Sequence, residues 1–359
     1  MWFPVIYTLQ YLRALAAIMV VLSHLHFKSS VVGADVFAGF RIGATGVDIF
    51  FVISGFVMAM IYMRTPDEPG SAGDFWLRRL ARIIPMYWLV SSIALVIYLA
   101  NPALVNANGG PTSIWRSYTL IPTWQESNVQ FLIGPGWSLS FELFFYLLCT
   151  GFFFIPARLA GLKILSVVLI VLALGTISGI APTYLFTSPL LLEFVYGSAI
   201  YGWFQRARGQ LPISLGAILL VAGIAGFVAI NQPGEFVLAQ RWWQAGLPAA
   251  ALVAGALSLE SWVRAKPSKI GLLIGNASYS LYLTHVFALG AASRVFGILQ
   301  LRAHGPIVET LFWLATLAGA IAVGCTAYLM VERPITGWLT YRIKMRRAAR
   351  TSAPDHIPA

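Results

Sequence analysis

The chain has 359 residues, of which 58% are hydrophobic and only 10% charged, and it carries a net charge of +11. Soluble globular chains carry about 25% charged residues, so this composition excludes an ordinary water-soluble domain and makes the lipid bilayer the main solvent. The basic excess does not point to nucleic acid: Lys and Arg lie between apolar runs and near the C-terminal end, where lipid head groups and membrane orientation account for them.

A bilayer core requires roughly 20 apolar residues per helix. On that measure the sequence predicts an all-α integral membrane protein of about ten transmembrane helices in one bundle. The runs fall near 5–26, 46–63, 83–100, 137–156, 162–180, 184–204, 212–230, 244–263, 270–298 and 307–331. The first run contains Arg13 and His24 and lacks a small-residue cleavage site, so it is expected to stay as a helix and not to leave as a signal peptide. The third follows the basic segment RRLARIIPMYW, where Pro85 predicts a fixed helix start or a kink. The ninth is long and carries SYSLYLTH, which predicts tilt or a break. Residues 1–336 form the membrane domain, and 337–359 are expected to be a basic, partly disordered cytoplasmic tail. Cys149 and Cys325 sit in apolar stretches without ligand spacing, so they are read as packing residues and no metal is expected.

An even number of spans places both termini on one side. The loops of that side and the tail hold seventeen Lys and Arg residues. The opposite loops hold five: Lys28, Arg41, Arg116, Arg241 and Arg302. The positive-inside bias therefore predicts that both termini are cytoplasmic. The longest outer loop, about 101–136, is rich in Pro, Gly, Trp and Asn and is expected to form a partial lid.

Ionisable groups inside spans are costly, so each is a functional candidate. Arg13 and His24 are eleven positions apart, which on a helix is a net rotation of roughly 20° and a rise of about 16 Å, so they share one face at different depths. Asp48 opens the second span across a short outer loop and is expected at a depth comparable to His24. In GPGWSLSFELFFY, Trp137 precedes a stripe of Ser138, Glu142 and Tyr146 at four-residue spacing. Ser278, Tyr282 and His285 make a second stripe, open to either interhelical hydrogen bonding or catalysis. Glu193 is a lone acid suited to pairing with an Arg, whereas Glu260 and Glu309 lie near span ends and are expected to be solvated. Arg78, Arg79 and Arg82 can face one way on a helix, and such a cluster suits bidentate phosphate binding as well as ordinary cytoplasmic anchoring.

Taken in order, LQYLRALAAIMVVLSHLHF, GVDIFFVISGFVM, FWLRRLARIIPMYW and GPGWSLSFELFFYLL resemble the acyltransferase-3 family of bacterial membrane acyltransferases. The weaker SYSLYLTH and the Glu332, Arg333, Pro334 ending extend the match, which covers about residues 6–336 and is nearest to the exopolysaccharide-production branch of carbohydrate O-acetyltransferases. The family's Arg and His separated by ten residues land on Arg13 and His24, its Arg-x-x-Arg on Arg79 and Arg82, and the Glu of its Trp-Ser-Leu-Ser segment on Glu142. The resemblance implies transfer of an acetyl group from acetyl-coenzyme A to a hydroxyl of a cell-surface glycan or its lipid-linked precursor. It also implies residence in the bacterial inner membrane, with the polysaccharide-synthesis machinery as a partner. In this reading Arg78, Arg79 and Arg82 hold the donor's phosphates, and Arg13 guides the donor or stabilises developing negative charge. His24 is the base, Asp48 or Glu142 its acidic partner, and Trp137, Ser138, Tyr146, Tyr282 and His285 form a supporting polar network. Direct transfer and an acyl-histidine intermediate both fit. A glycan or lipid-intermediate transporter is the alternative function.

Overall fold

The computed structural model describes residues 5–34, 40, 42–66, 68, 70–105, 111–121, 130–155, 157–180, 185–209, 211–231 and 240–351. Among these the chain is helical; one isolated bridge joins Thr112 and Gln130. Among the described residues, seven stretches are long and apolar enough to cross a membrane. They begin with α1 (Tyr7–Val31), the run Ile42–Arg64 containing α2 (Gly46–Arg64), and α3 (Ser71–Ala100). There follow Gly136–Phe154, which includes α5 (Gly136–Gly151), and α6 (Arg158–Ile177), with the short α4 (Ile114–Thr119) ahead of them. The last two are α13 (Ser278–Ile298) and the continuous run Pro306–Ala349. The three other expected spans form shorter helices: α7 (Leu191–Arg206), α8 (Ile213–Ala229) and α10 (Gly246–Leu257). Short helices α9 (Arg241–Gln244), α11 (Glu260–Ala265) and α12 (Lys269–Asn276) complete the middle of the chain.

The start of α1 shows how burial is made affordable for a charge. The first N–H groups of a helix lack intrahelical partners. Here the Glu260 carboxylate accepts from the Tyr7 and Thr8 amides at 3.1 and 2.9 Å and from the Thr8 hydroxyl at 2.8 Å, while Arg264 donates to it at 2.9 Å. Glu260 is therefore buried and caps α1, in place of the solvated position expected for it.

Pro85 neither starts nor ends a helix: α3 runs through it from Ser71, so the RRLARIIPMYW segment belongs to the helix. A mid-helix proline leaves the carbonyl four residues earlier without its N–H donor. That carbonyl, Ala81 O, accepts a long 3.4 Å hydrogen bond from the Thr336 hydroxyl. The ninth predicted span is indeed broken, at Ala277 between α12 and α13. At the other end, α14 (Pro306–Ala327) passes through a five-residue π-helical turn (Tyr328–Glu332) into α15 (Arg333–Thr351). Pro334 cannot donate to the carbonyl of Met330, and the turn widens just before it. The segment expected as a partly disordered tail is thus helical up to Thr351, because its Thr336 and Thr340 side faces α3 and a basic vestibule; residues 352–359 lie outside the described residues.

The described part of the long outer loop folds back along α3. The Trp88 indole donates to Tyr118 O at 2.8 Å, and Trp88 lies twelve residues, or about 18 Å, below the end of α3 at Ala100. Leu132 and Ile133 of the same loop are buried in the core. The lid expected over 101–136 includes residues 106–110 and 122–129, which lie outside the described residues, as does Arg41.

Helix α2 occupies the centre, contacting α1, α5, α6, α7 and α10. Lipid supplies no hydrophobic drive between helices, so close backbone approach has to hold them together. The α2–α7 crossing achieves this through two glycines: a Cβ at Gly55 would lie 2.1 Å from Phe194 O, and one at Gly197 would lie 2.0 Å from Val52 O. Phe194 in turn packs on Phe51 and Phe145, with ring centroids at 4.9 and 4.4 Å. Gly55→Ala and Gly197→Ala should each lower the thermal unfolding temperature of purified protein, at a cost on the order of 1–3 kcal/mol. Gly73→Ala, with nothing within 4 Å of its Cβ position, should leave the temperature unchanged or slightly higher.

Candidate active site

A cavity of about 120 Å³ lies inside the bundle. Its charged and polar walls are Arg13 of α1, Ser54 of α2, Arg79 and Arg82 of α3, Ser138, Glu142 and Tyr146 of α5, and Ser278, Tyr279 and Tyr282 of α13. The four-residue spacing of the α5 stripe does bring its members to one face: Glu142 accepts hydrogen bonds from the Tyr146 hydroxyl and, at 2.9 Å, from the Ser54 hydroxyl. The Ser138 and Tyr282 hydroxyls are joined at 2.7 Å across α5 and α13.

On the α15 side of the basic pair, the structure opens into a vestibule of about 760 Å³. Arg79 and Arg82 line both spaces, whereas Arg78 lines only the vestibule and its flank. The Arg79 guanidinium packs over the Phe75 and Tyr146 rings at 5.9 Å each. Its Nε and one terminal nitrogen of Arg82 are buried without a hydrogen-bond partner. Buried N–H groups of this kind are ordinarily satisfied, so unmatched guanidinium donors on two residues that line the cavity and the vestibule suit an anionic ligand.

Arg82 also faces an acid that sequence reasoning did not select. Glu332, buried at the end of the π-helical turn, lies 3.6 Å from the Arg82 guanidinium and accepts the Ser280 hydroxyl at 2.6 Å. Its signals in the sequence are the Glu332, Arg333, Pro334 ending and its place at the close of the last span beside a basic run. Ser54, an isolated hydroxyl in an apolar helix, carries no pattern, and Tyr279 and Ser280 lie in SYSLYLTH but off the stripe of Ser278, Tyr282 and His285.

His24 lies on the face of α1 that carries Arg13, and its ring is exposed. Its neighbour is His285, with ring centroids 4.8 Å apart in an edge-to-face arrangement; Tyr282 follows at 6.1 Å from His285. In both histidines Nδ1 meets a backbone carbonyl, Val20 O at 2.9 Å and Leu281 O at 3.2 Å. A carbonyl can only accept, so Nδ1 carries the proton and Nε2 is the basic nitrogen of each neutral ring. Neither Asp48 nor Glu142 is the acidic partner of His24.

The position of Asp48 corrects the expectation most. Gly46 packs against Ala16 O, so Asp48 lies about 15 Å below His24 along α1 and not beside it. Its carboxylate is held by Arg241, whose Nε and Nη2 donate at 2.9 and 2.8 Å, while Nη2 also donates to Ala44 O at 2.8 Å. Arg241, counted among outer-loop cations, is therefore buried, and its guanidinium lies 5.7 Å from the Trp137 ring. Glu193 lies against this pair, buried and next to Gly246. The arrangement makes Asp48 a structural anchor of α2 and α9.

The chain as a whole is similar to known proteins. The acyltransferase domain family matches residues 6–331. The chain belongs to the acyltransferase-3 family. It is 32% identical to the exopolysaccharide production protein ExoZ of Rhizobium meliloti, over 88% of this chain and 94% of that protein. It is 26% identical to the acyltransferase MdmB of Streptomyces mycarofaciens, over 96% and 94%. It is also 25% identical to the peptidoglycan O-acetyltransferase OatA of Listeria monocytogenes, over 92% of this chain and 56% of that longer protein. No solved structure matches. The protein is thus a multi-pass membrane acyltransferase, and acyl transfer takes precedence over the transporter alternative.

Removing one partner of a buried ion pair leaves the other charge uncompensated, at a cost of about 3–5 kcal/mol. Asp48→Ala in this acyltransferase should accordingly lower the unfolding temperature sharply, and the double change Asp48→Leu with Arg241→Met should recover most of the loss. An Asp48→Ala protein as stable as the parent would mean the pair has no anchoring role.

Proposed function

We propose that this acyltransferase moves an acetyl group from acetyl-coenzyme A to a hydroxyl of a cell-surface or exopolysaccharide glycan, or of its lipid-linked precursor. The observation that carries the donor half is the position of Arg79 and Arg82 at the junction of the basic vestibule and the internal cavity. A triply phosphorylated donor suits the larger, basic space, and its thioester arm suits the narrower one. The acceptor half rests on the names of two relatives, one an exopolysaccharide production protein and the other a peptidoglycan O-acetyltransferase. In this reading ten helices cross the inner membrane of a bacterium with both termini cytoplasmic, as the Lys and Arg distribution favours, and the polysaccharide-synthesis machinery supplies the acceptor.

The reaction assigns each residue a task. The acceptor hydroxyl loses its proton to Nε2 of His24 as its oxygen attacks the thioester carbonyl. The carbon–sulfur bond then breaks, and the leaving thiolate takes the proton back. His285, edge-on to His24 with its own Nδ1 fixed, holds the imidazole in place. Arg13 stands about 16 Å below His24 and lines the inner cavity within electrostatic reach of Arg82, Glu332 and Glu142. That separation suits a guide for the donor better than a partner of the same oxyanion. Glu142, tied to Ser54 and Tyr146, balances the positive charge of the donor channel.

Purified protein given labelled acetyl-coenzyme A and glycan acceptor should yield an acetylated product. His24→Ala should reduce transfer at least about 100-fold while expression and membrane insertion persist; near-normal acetylation would remove His24 from the role. Arg79→Ala and Arg82→Ala should each weaken coenzyme A binding by roughly tenfold or more. Unchanged binding in both would reduce the pair to a topological anchor.

A further inference from the structure

The vestibule has a second wall, formed by α15. Helix α15 contributes Thr336, Thr340 and Lys344, spaced four residues apart on one face, together with Arg347. The opposite wall carries Arg78, Arg79 and Arg82 of α3 and Arg64 at the end of α2. The two basic groups on α15 are not equivalent. Arg347 is engaged by Glu68 and, at 3.6 Å, by Asp74, so its charge is answered within the protein. Lys344 forms no ion pair among the described residues; its side chain borders both the vestibule and the neighbouring space beside Glu332 and Arg333.

The depth of this face matters as much as its charge. Thr336 donates to Ala81 O, level with Arg82, and Lys344 is eight residues further out, about 12 Å along the helix. A ligand whose diphosphate sits on Arg79 and Arg82 would reach Lys344 only with a second, separate anionic group at its outer end. Coenzyme A has such a group, the 3′-phosphate of its adenosine. A compact ammonium on a flexible stem suits a lone phosphate, as the planar guanidinium pair suits the diphosphate.

We propose that Lys344 is the recognition residue for the donor's 3′-phosphate, and that α15, far from being a solvated tail, is the outer wall of the donor site. The inference rests on the coenzyme A reading above and adds a subsite to it. It requires the enzyme to distinguish coenzyme A from 3′-dephospho-coenzyme A, and it assigns that distinction to one side chain.

The test is calorimetric titration of the full-length protein in lipid nanodiscs with coenzyme A and with 3′-dephospho-coenzyme A. The parent protein should bind coenzyme A roughly tenfold more tightly. Lys344→Ala should lose that preference by weakening coenzyme A binding alone, and Lys344→Arg should retain much of it. Lys344 is exposed on its helix, so the substitution should not disturb folding, which an unchanged unfolding temperature would verify. If the parent discriminates but Lys344→Ala preserves the discrimination, or weakens both ligands equally, the 3′-phosphate subsite lies elsewhere and the proposal is overturned. If the parent binds neither nucleotide, the donor reading itself fails, and this inference with it.

Discussion

A positive charge placed among apolar helices must be answered by an anion, and the two answers this protein uses divide it into a fixed part and a responsive part. Asp48 and Arg241 form a closed pair: two carboxylate bonds and one backbone carbonyl satisfy the guanidinium inside the bundle. Arg79 and Arg82 are answered only in part, by the Phe75 and Tyr146 ring faces and by Glu332 at 3.6 Å, with N–H donors left over. The first arrangement holds helices together. The second is what a bundle needs where an anion has to bind and leave.

The responsive part depends on the irregularities of two long helices. Pro85 in α3 frees a carbonyl that Thr336 of α15 engages, so the proline helps bind the helix that walls the vestibule. The π-helical turn before Pro334 ends on Glu332, where the carboxylate meets both Arg82 and Ser280. π-turns are often found at functional sites because they turn a side chain out of its regular register. Within the cavity wall, Ser138 and Tyr282 share a hydrogen bond, and Tyr282 connects that wall to the His24–His285 pair. In the proposed reaction, donor binding and proton transfer are stacked along α1 and α13, which carry Arg13 and Tyr282 at the cavity and His24 and His285 beyond it.

Much of this was legible from residue spacing. The i, i+4 rhythm of Ser138, Glu142 and Tyr146, the shared face of Arg13 and His24, and the break near SYSLYLTH are consequences of helical geometry alone. What spacing does not carry is relative helix height. A short loop suggests that Asp48 and His24 share a depth, but His24 stands about 12 Å along α1 beyond the packing level of Gly46 and Ala16. For the same reason Glu260 looked solvated at a span end, when it reaches across to cap α1. The helical continuation of α15 was hidden by composition: a polar, basic segment reads as a tail unless the wall it faces is known.

The sequence alone determined the class of solvent, the helical architecture, the family and the basic and histidine motifs, because these depend on local composition and on periodicities that every α-helix shares. Only the tertiary structure decided the partnerships: Asp48 with Arg241, His24 with His285, Arg82 with Glu332, and α15 with the vestibule. Each joins residues far apart in the chain through the heights and rotations at which helices settle. Those are set by packing at sites such as Gly55 against Phe194, which no pattern within a single segment encodes.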